Sequence, residues 1–387
     1  YSLDGQYEKG IEWCEKAVRE NPDDFFARII LTAVYSMAGR DEEARAEGIE
    51  ALRINPKYSL AKAEKRAKYK YKDKMFAALR KAGLPEHPPL PLPDKPSIAV
   101  LAFDNLSGDP EQEYFADGMT DDLITDLSKI SGLFVIAHHS SFHYKDKALD
   151  VQKISRELGI RYVLKGSVRR ADNKIRINAQ LIDATTGGHL WAERYDREQK
   201  DLFKLQNEIL KNIVTALDVK LVEGEQAKLY RRATDNPKAY DAFAKGFDLF
   251  RQFRKDANLL AQQYLSKAIE LDPEYAEAMG LLGTTHWANA RYGWSASRSQ
   301  SIERGKKLAK KALRIDGKTY LAMSALSLIH LLEREYDRCT EIREQAFSMN
   351  PNSADSNALM AFTLSLVGRE EEALPYMKTA MRLSPFY

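Results

Sequence analysis

The first side chains that could do chemistry lie in Asp104-Asn-Leu-Ser-Gly-Asp109, directly after the apolar run over residues 97–103. Loops at the carboxyl ends of strands are where α/β sheets bind ligands, and polar side chains there could hold an anion or a cation. Four side chains are ligand-loop candidates: Asp104, Asn105, Ser107 and Asp109. The same residue types form turns, with Asp117 or Thr120 able to cap the next helix, and we favour a turn. Neither Gly-x-x-x-x-Gly-Lys nor Gly-x-Gly-x-x-Gly accompanies the loop, so the usual nucleotide-binding signatures are missing.

Three histidines lie close together in His138-His-Ser-Ser-Phe-His143. Histidine is a common zinc ligand, but no Cys and no Glu at ligand spacing joins the three. Ser140 or Ser141 beside His143 could pair a nucleophile with a base, yet nothing supplies a nucleophile elbow or an oxyanion hole. We therefore predict a surface loop here, with no catalytic residue and no metal site in the chain.

Four arginines fall on, or directly after, predicted strands of one sheet: Arg169, Arg170, Arg176 and Arg194. Together they could form a basic strip on an open sheet face and bind a small anionic ligand. Exposed strands commonly carry such charges, so a solvated surface is the alternative. Neither interpretation requires a cofactor, and none is predicted.

The chain has 387 residues, 44% of them apolar and 30% charged, which is typical of a globular protein of two or three domains. Its formal charge of +3 arises from 59 basic and 56 acidic side chains, so the overall balance predicts no binding to nucleic acid. Segment 62–74 is an exception, with seven basic residues against Glu64 and Asp73. We interpret this segment as a solvated helix and keep an anionic partner as the alternative.

Cys14 and Cys339 are the two cysteines, and their separation in sequence supports no disulfide framework. No apolar run approaches the ~18 residues of a membrane span, and residues 1–21 are typical of a repeat helix rather than a signal peptide. We therefore predict a cytoplasmic location. The chain begins within one repeat and stops just after Pro385, where another repeat would start, so we expect a fragment of a longer protein.

One phrase recurs near both ends of the chain, at residues 51–56, 268–273, 346–351 and 380–385. It reads Ala-Leu-Arg-Ile-Asn-Pro in its first copy, and 34 residues separate Pro22 from Pro56 and Pro351 from Pro385. A period of about 34 with a closing Pro is typical of helix-turn-helix solenoid repeats. Such units bury their apolar faces against neighbours and present a binding surface rather than a closed catalytic pocket. Within the repeats we expect two helices to approach closely at small residues, at Leu282-Gly283 with Ala309 or Ala312 and at Gly368 with Ala373 and Ala380.

The hydrophobic period changes in the middle of the chain. The predicted elements there follow in order: strand 97–103, helix 114–130, strand 133–137, helix 151–158, strands 162–168, 175–181 and 189–195, and a helix from 202 to about 220. The run at 97–103 is apolar throughout, as in a strand covered on both faces, whereas 175–181 alternates as in a half-exposed strand. The order βαβαβββα predicts a small α/β domain with a mixed sheet.

The repeats resemble tetratricopeptide repeats. Leu282-Gly283 and His286 match the Leu-Gly and Tyr positions of that family, whereas Met279 stands where Trp is usual and Gly317 replaces a Pro. In such repeats the first helix of each unit lines the inside of a superhelix, and the register implies five candidates for a groove that binds a protein or peptide: Glu277, Thr284, Trp287, Leu328 and Phe362. Large aromatic residues also serve as packing inside repeats, which is the alternative for Trp287.

A second resemblance, to the TolB amino-terminal-like domain, covers residues 96 to about 220. It rests on Pro96-Ser-Ile-Ala-Val-Leu-Ala-Phe-Asp-Asn-Leu-Ser-Gly-Asp109, Gly166-Ser-Val-Arg-Arg170, Ala179-Gln-Leu-Ile-Asp-Ala-Thr-Thr-Gly187 and Leu190-Trp-Ala-Glu-Arg-Tyr-Asp196. That module occurs beside tetratricopeptide repeats in bacterial regulatory proteins, commonly after an adenylate/guanylate cyclase catalytic domain or a winged-helix DNA-binding domain. The resemblance implies a regulatory or sensory role and gives this segment no reaction.

The predicted fold is therefore α plus α/β, with two tetratricopeptide-type helical segments flanking a small mixed-sheet domain. The predicted boundaries are 1–84 for the first repeats, 85–96 for a proline-rich linker, 97–222 for the α/β domain and 223–387 for the second repeats, entered by a connecting helix through residue 230. We expect a non-enzymatic interaction and regulatory segment whose repeats bind a protein partner. The alternative is the regulatory arm of a nucleotide cyclase or transcription regulator, whose central domain senses a small anionic ligand.

Overall fold

The computed structural model describes residues 6–147, 150–171, 173–219, 221 and 233–386. It divides into two compact units, one of residues 1–91 with 156–159 and one of residues 92–155 with 160–387. The connecting helix predicted through residue 230, and the predicted boundary at 222, fall outside the described residues. The four predicted domain boundaries stay a prediction.

The first unit is built from helices: α1 (Tyr7–Glu20), α2 (Phe25–Met37), α3 (Asp41–Ile54), α4 (Leu60–Arg66) and α5 (Lys72–Lys81). Asp24 caps α2, because its carboxylate accepts hydrogen bonds from the amides of Phe26 and Ala27. Gly39 follows α2 with φ of +79°, a conformation that glycine adopts without steric cost. The stretch from residue 85 to 96 forms neither helix nor strand, as its prolines predict.

The second unit begins with a mixed sheet of six strands: β1 (Ser97–Val100), β2 (Asp104–Asn105), β3 (Phe134–Val135), β4 (Tyr162–Ala171), β5 (Lys174–Asp183) and β6 (Gly188–Glu198). The strand order is β3-β1-β4-β5-β6, and β2 also pairs with β4. β1 runs parallel to β3 and β4, whereas β4, β5 and β6 are antiparallel neighbours. β1 is buried throughout and β5 alternates, so the mixed sheet and the two kinds of strand are as predicted.

In the part of the chain that the structure describes, four helices lie between or after these strands in sequence: α6 (Glu113–Ser128), α7 (His138–Phe142), α8 (Val151–Leu158) and α9 (Leu202–Ala216). α6 directs Phe115, Met119 and Leu123 into the core. The capping prediction was wrong, because α6 begins at Glu113 after a short helical turn that Asp109 caps. Thr120 lies within α6, where its hydroxyl accepts a hydrogen bond from the Phe103 amide.

The surface-loop prediction for the histidine segment was also wrong, since residues 138–142 form α7 and Ser140 and Ser141 are fully buried. The Ser140 hydroxyl lies 3.3 Å from that of Ser384 and accepts a hydrogen bond from the Phe386 amide. The segment is therefore buried by a part of the chain more than 240 residues away, which local sequence does not reveal.

Glycine is required where β4 and β5 meet the core. A Cβ atom on Gly166 would lie 2.5 Å from the carbonyl oxygen of Asn178 and 2.7 Å from the Phe103 ring. Both neighbours are held in place, one by the β5 backbone and the other by the core of the sheet domain. Any larger residue at this position must therefore separate the two strands or displace the ring.

Among the described residues of the second unit, eight helices follow in the sequence from residue 237: α10 (Pro237–Arg251), α11 (Lys255–Leu271), α12 (Ala276–Tyr292), α13 (Arg298–Ile315), α14 (Tyr320–Leu332), α15 (Tyr336–Met349), α16 (Ala354–Leu366) and α17 (Glu370–Leu383). We call these eight helices the array. Gly283 on α12 faces Gly305 on α13, so the prediction of close packing at Gly283 is confirmed. The same prediction for Gly368 was wrong, because this residue ends α16 with φ of +80° and a Cβ there would meet nothing within 4 Å.

The structure confirms the coarse fold prediction: the chain is rich in helices and contains a mixed sheet. In the part of the chain that it describes, no helix combines the length and the apolar character needed to cross a membrane. The assignment of the helices to tetratricopeptide repeats stays a prediction.

Candidate functional site between the sheet domain and the array

The first helix of the array contacts a buried carboxylate of the sheet domain. Asp121 on α6 is 6% exposed, and one of its oxygens lies 2.6 Å from Nδ1 of His138 on α7. Its other oxygen pairs with the guanidinium of Arg251, the last residue of α10. These partners outweigh the cost of removing the carboxylate from water, so the pKa of Asp121 lies below its ordinary value. Asp121 therefore remains charged and ties α6, α7 and α10 together.

The neighbouring carboxylate behaves in the opposite way. Asp122 accepts hydrogen bonds from the Tyr240 hydroxyl at 2.5 Å and from the Gln206 amide at 2.9 Å. Both donors are neutral, and the charges of Asp126 and Asp121 lie nearby. Loss of water raises the pKa of Asp122 to about 7, despite those two hydrogen bonds. Asp121 and Asp122 are adjacent in sequence, yet one is a fixed anion and the other titrates near neutral pH.

A third contact joins the other end of α6 to α10. Asp241 on α10 accepts hydrogen bonds from the Tyr114 hydroxyl at 2.7 Å and from the Arg170 guanidinium at 2.6 Å. Arg170 also lies over the Phe115 ring, with its guanidinium carbon 4.9 Å from the ring centre. Loss of water, together with the bond to Asp241, raises the pKa of Tyr114, so the phenol remains a donor at neutral pH.

The far end of the array also contacts the sheet domain. The Ala137 amide, just before α7, donates to the Leu383 carbonyl at 2.9 Å, and Ser140 contacts Ser384 and Phe386 as described above. The guanidinium of Arg382 lies over the ring of Phe134 on β3, 4.6 Å from its centre. Between the two ends, the side chain of Asn352 donates to the Ile130 carbonyl at 2.9 Å. The array is thus fastened to the sheet domain at its first helix, at the turn before α16 and after α17.

The five groove candidates do not form one open surface. Leu328 is buried, Phe362 is 44% exposed, and Glu277, Thr284 and Trp287 are half-buried. Burial opposes the charge of Lys129, which follows α6, but the charges of Asp126 and then of Glu277 raise its pKa, so Glu277 lies near the sheet domain. Thr284 donates its hydroxyl hydrogen to the Gly280 carbonyl of its own helix. The groove assignment stays a prediction.

Trp287 belongs to a cluster of aromatic residues near the ends of α10 and α12. Its ring centre lies 6.0 Å from that of Tyr292, which stacks on Trp294 at 5.3 Å. Phe253 contacts both Tyr292 and Trp294, and Phe253 and Tyr292 are each 46% exposed. The indole nitrogen of Trp287 is buried and has no hydrogen-bond acceptor among the described residues. Trp287 therefore combines a packing role with a position beside exposed aromatic rings.

The ligand-loop candidates are mostly engaged within the loop. The Asn105 amide donates to the Asp109 carbonyl at 2.9 Å, and its oxygen accepts from the Ser107 amide. The Ser107 hydroxyl accepts from the Arg170 amide at 2.9 Å, and Asp109 caps the following helical turn. Asp104 is exposed at the start of the short strand β2. These hydrogen bonds are those of a structured turn, which is the interpretation favoured by the sequence.

The structure places three of the four arginines on one sheet face. Arg169 lies opposite Arg176, and Arg194 lies opposite Asn178, two residues from Arg176, so the three side chains point the same way. All three are exposed, and Asp196 pairs with Arg176 at 2.6 Å and with Arg194 at 3.3 Å. Arg170 points to the opposite face, where it binds Asp241. The predicted strip is therefore shorter than the sequence indicates.

Among the described residues, one cluster contains three side chains of the kinds that bind metal ions. The ligand atoms of His330, Glu333 and Glu335 lie within 4.8 Å of one another. Lys306 pairs with Glu333, and Arg338 with Glu335, so cationic side chains of the chain already neutralise both carboxylates. The arrangement is that of an ion-pair cluster.

Sequence reasoning missed Asp121, Asp122 and Arg251. One signal was available for Asp122, which follows Phe115 by seven residues and so lies at the edge of the apolar face of α6. Asp121 lies about 100° away from Asp122 around α6. Its buried carboxylate is paired with Arg251, 130 residues further along the chain. No local pattern predicts that contact.

Comparison with known proteins gives two matches in sequence. Residues 94–212 match a family model described as the second domain of HilA/YgeH-like transcriptional regulators. A protein of Rhizobium meliloti (strain 1021) named "Putative adenylate cyclase 3" is 52% identical over 233 residues, which are 59% of this chain and 39% of that protein. The chain thus spans about two fifths of the length of this relative.

Two similar solved structures are TolB from Acinetobacter baumannii and MamA AMB-1. TolB is 17% identical with a TM-score of 0.25, covering 35% of this chain and 31% of that chain. MamA is 16% identical with a TM-score of 0.26, covering 49% of this chain and 91% of that chain. At TM-scores this low, neither structure determines the fold of this chain.

Proposed function

We propose that this chain is a non-enzymatic regulatory and protein-interaction segment of a bacterial signalling protein. The observation that carries the proposal is the fastening of the array to the sheet domain at three places, through buried charged and polar groups. A change in the sheet domain must alter those contacts, and the array then presents a different surface to a protein partner. In this proposal the sheet domain senses a signal and the array transmits it to the protein partner.

The two sequence matches are a second, independent support for a regulatory role. One is to a domain of transcriptional regulators and the other to a protein named for adenylate cyclase, so the shared segment accompanies different outputs. A segment that accompanies both outputs is more simply a regulatory module than the catalyst of either. We propose that cyclase chemistry, where such a protein has it, lies outside the segment described here, and that the segment works in the cytoplasm.

A direct test separates regulation from catalysis. The purified chain is incubated with ATP or GTP and Mg²⁺ or Mn²⁺, and cyclic nucleotides are measured by mass spectrometry. We expect no turnover above buffer. Cyclic nucleotide formation that follows the chain through purification would overturn the non-enzymatic assignment.

The partner groove is tested at Trp287 and Phe362. The tagged chain is used to recover interacting proteins from the native bacterium, alongside Trp287→Ala/Phe362→Ala and the control Leu259→Ala, whose side chain is 59% exposed on α11. We expect one protein to be retained by wild type and control and lost from the double variant, with circular dichroism unchanged. Equal recovery by all three chains would remove these residues from the interface.

Ligand sensing by the sheet domain is the second candidate function. Arg169 is exposed and makes no ion pair with a described residue, while Asp196 only partly neutralises Arg176 and Arg194. The three guanidiniums could therefore bind a small anion such as a nucleotide or phosphate. Thermal-shift measurements with phosphate, nucleotides and cyclic nucleotides at millimolar concentration test this, with Arg169→Ala as the control. A shift that survives Arg169→Ala, or no shift, would argue against this strip.

A further inference from the structure

The first unit contains an apolar groove that includes none of the five groove candidates predicted from the sequence. It has a volume of about 1070 Å³ and is lined by α2, α4, α5 and the residues that connect α3 to α4. Phe26 and Ile30 of α2 are 74% and 44% exposed along it, although both are large apolar residues. Because such side chains are usually covered when they occur together, this groove is a candidate docking surface.

The shape of the groove fits a helix. Phe26, Ile30, Ala33 and Met37 follow one another at intervals of three or four residues and so form one stripe along α2. α2 has 13 residues, which corresponds to about 20 Å of helix. The groove volume is at the upper end of the range for small-molecule pockets, about 300–1,000 Å³. A partner helix of about three turns would cover this stripe.

The charges around the groove identify the chemistry of that helix. Lys57, Lys62 and Arg66 line the groove, whereas none of the described Asp and Glu residues does. Lys62 and Arg66 are four residues apart on α4 and therefore share a face. None of the three makes an ion pair with a residue that the structure describes. Glu64, on another side of α4, is already bound by Arg80.

We propose that this groove binds an amphipathic helix of a partner protein, with apolar side chains against Phe26 and Ile30 and acidic side chains against Lys62 and Arg66. The apolar stripe supplies affinity and the basic rim supplies specificity and orientation. This site is separate from the array and does not depend on the function proposed above. It also gives a role to part of the basic segment 62–74, for which an anionic partner was the alternative interpretation.

The test uses fluorescence anisotropy with designed peptides and the full chain. The probe is a labelled helical peptide of about 16 residues with Leu at every third or fourth position and Glu on both flanks. A matched peptide carries Lys in place of each Glu. We expect the acidic peptide to bind at least tenfold more tightly than the basic peptide at low salt, and the difference to shrink at high salt.

Two pairs of variants sharpen the result. Phe26→Ala/Ile30→Ala should weaken the acidic peptide at least tenfold, whereas Ile49→Ala, a 68% exposed residue outside the groove, should not. Lys62→Glu/Arg66→Glu should reverse the preference between the peptides, whereas Lys9→Glu/Lys16→Glu on α1 should leave it unchanged. All replaced side chains line an open groove or lie outside it, and thermal melts check that each variant folds.

Three outcomes would overturn the proposal. They are equal binding of acidic and basic peptides, binding unaffected by Phe26→Ala/Ile30→Ala, and no peptide binding together with binding to phosphatidylglycerol vesicles that Lys62→Glu/Arg66→Glu abolishes. The last would assign the groove to an anionic lipid surface instead.

Discussion

The hydroxyl oxygen of Tyr240 lies 2.5 Å from a carboxylate oxygen of Asp122, across the contact between α10 and α6. The two residues are 118 positions apart in sequence. Asp122 also accepts a hydrogen bond from Gln206, and the Tyr240 ring packs edge to face with the apolar ring of Phe115. The hydrogen bond joins the first helix of the array to the long helix of the sheet domain at a carboxylate whose pKa is about 7. The contact is therefore sensitive to pH in the neutral range.

The pKa of Asp122 predicts how stability changes with pH. Its folded value of about 7 exceeds the ordinary 3.8, so the folded state binds this proton more tightly. The stabilisation of the folded state by protonated Asp122 is fully present below pH 4 and is lost as pH rises toward 7. We expect the free energy of unfolding of the wild-type chain to fall between pH 4 and pH 7.5. In Asp122→Asn this fall should be smaller by roughly 1–3 kcal/mol.

Denaturant unfolding of wild type and Asp122→Asn across that range makes the measurement. Asp117 also has a raised pKa and acts in the same direction, whereas the lowered pKa of Asp121 acts below pH 4. The difference between the two chains, rather than either curve, therefore isolates Asp122. Parallel curves for the two chains would show that Asp122 has an ordinary pKa.

Loss of Arg251 should be costly, because it leaves the buried Asp121 carboxylate with His138 as its remaining ion-pair partner. We expect Arg251→Met to lower the unfolding free energy by about 2–4 kcal/mol. Arg254→Met is the matched control: Arg254 pairs with Asp256 where both are exposed, and its loss should cost less than about 0.5 kcal/mol. Asp121→Asn combined with Arg251→Met should cost less than the sum of the single changes, and strict additivity would contradict the pairing.

Gly166 should tolerate no side chain. Gly166→Ala places a methyl group against the Asn178 carbonyl and the Phe103 ring and should destabilise the sheet domain by about 1–3 kcal/mol. Gly317→Ala is the control, because its Cβ would meet a single atom, 3.8 Å away. Thermal unfolding of both variants makes the comparison, and a melting temperature equal to wild type for Gly166→Ala would contradict the close approach of β4 and β5.

Arg343 is 1% exposed, and the hydrogen bonds of its guanidinium go to Ser324. No carboxylate pairs with it among the described residues, and burial lowers its pKa. A buried charge without a counter-ion costs more than a well-packed apolar side chain of similar length. We expect Arg343→Met to raise the unfolding free energy by about 1 kcal/mol and Arg343→Ala to lower it by opening a cavity. A large loss of stability in Arg343→Met would reveal a partner that neutralises the arginine.

Local sequence patterns predicted those features of the fold that depend on near neighbours. The apolar run at β1 and the alternation along β5 predicted two strands correctly. Consecutive residues of a strand point to opposite faces, so the local order of apolar and polar residues indicates which faces are buried. Gly368 was misassigned because a glycine that ends a helix and a glycine that allows helices to pack look alike in sequence. The φ angle of Gly368, +80°, identifies it as a glycine that ends a helix.

The candidate site was beyond sequence reasoning for a different reason. Asp121, Asp122 and Asp241 are ordinary exposed acids until α6 and α10 pack together, and each finds its partner 71 to 130 residues away. The histidines of α7 invited a metal interpretation, whereas His138 serves as a partner of Asp121. Ionic contacts between distant segments leave no periodic signature in a single chain.

Hydrogen–deuterium exchange on the whole chain tests the central claim most directly. Contacts at one end of the array hold the other end at high effective concentration, so loosening the first should loosen the second. Arg251→Met should therefore speed amide exchange in α6 and α10 and also in residues 137–142 and the end of α17, whereas Arg254→Met should change none of these. Faster exchange confined to α10, or no change at α7 and α17, would contradict an array fastened to the sheet domain as one regulatory body.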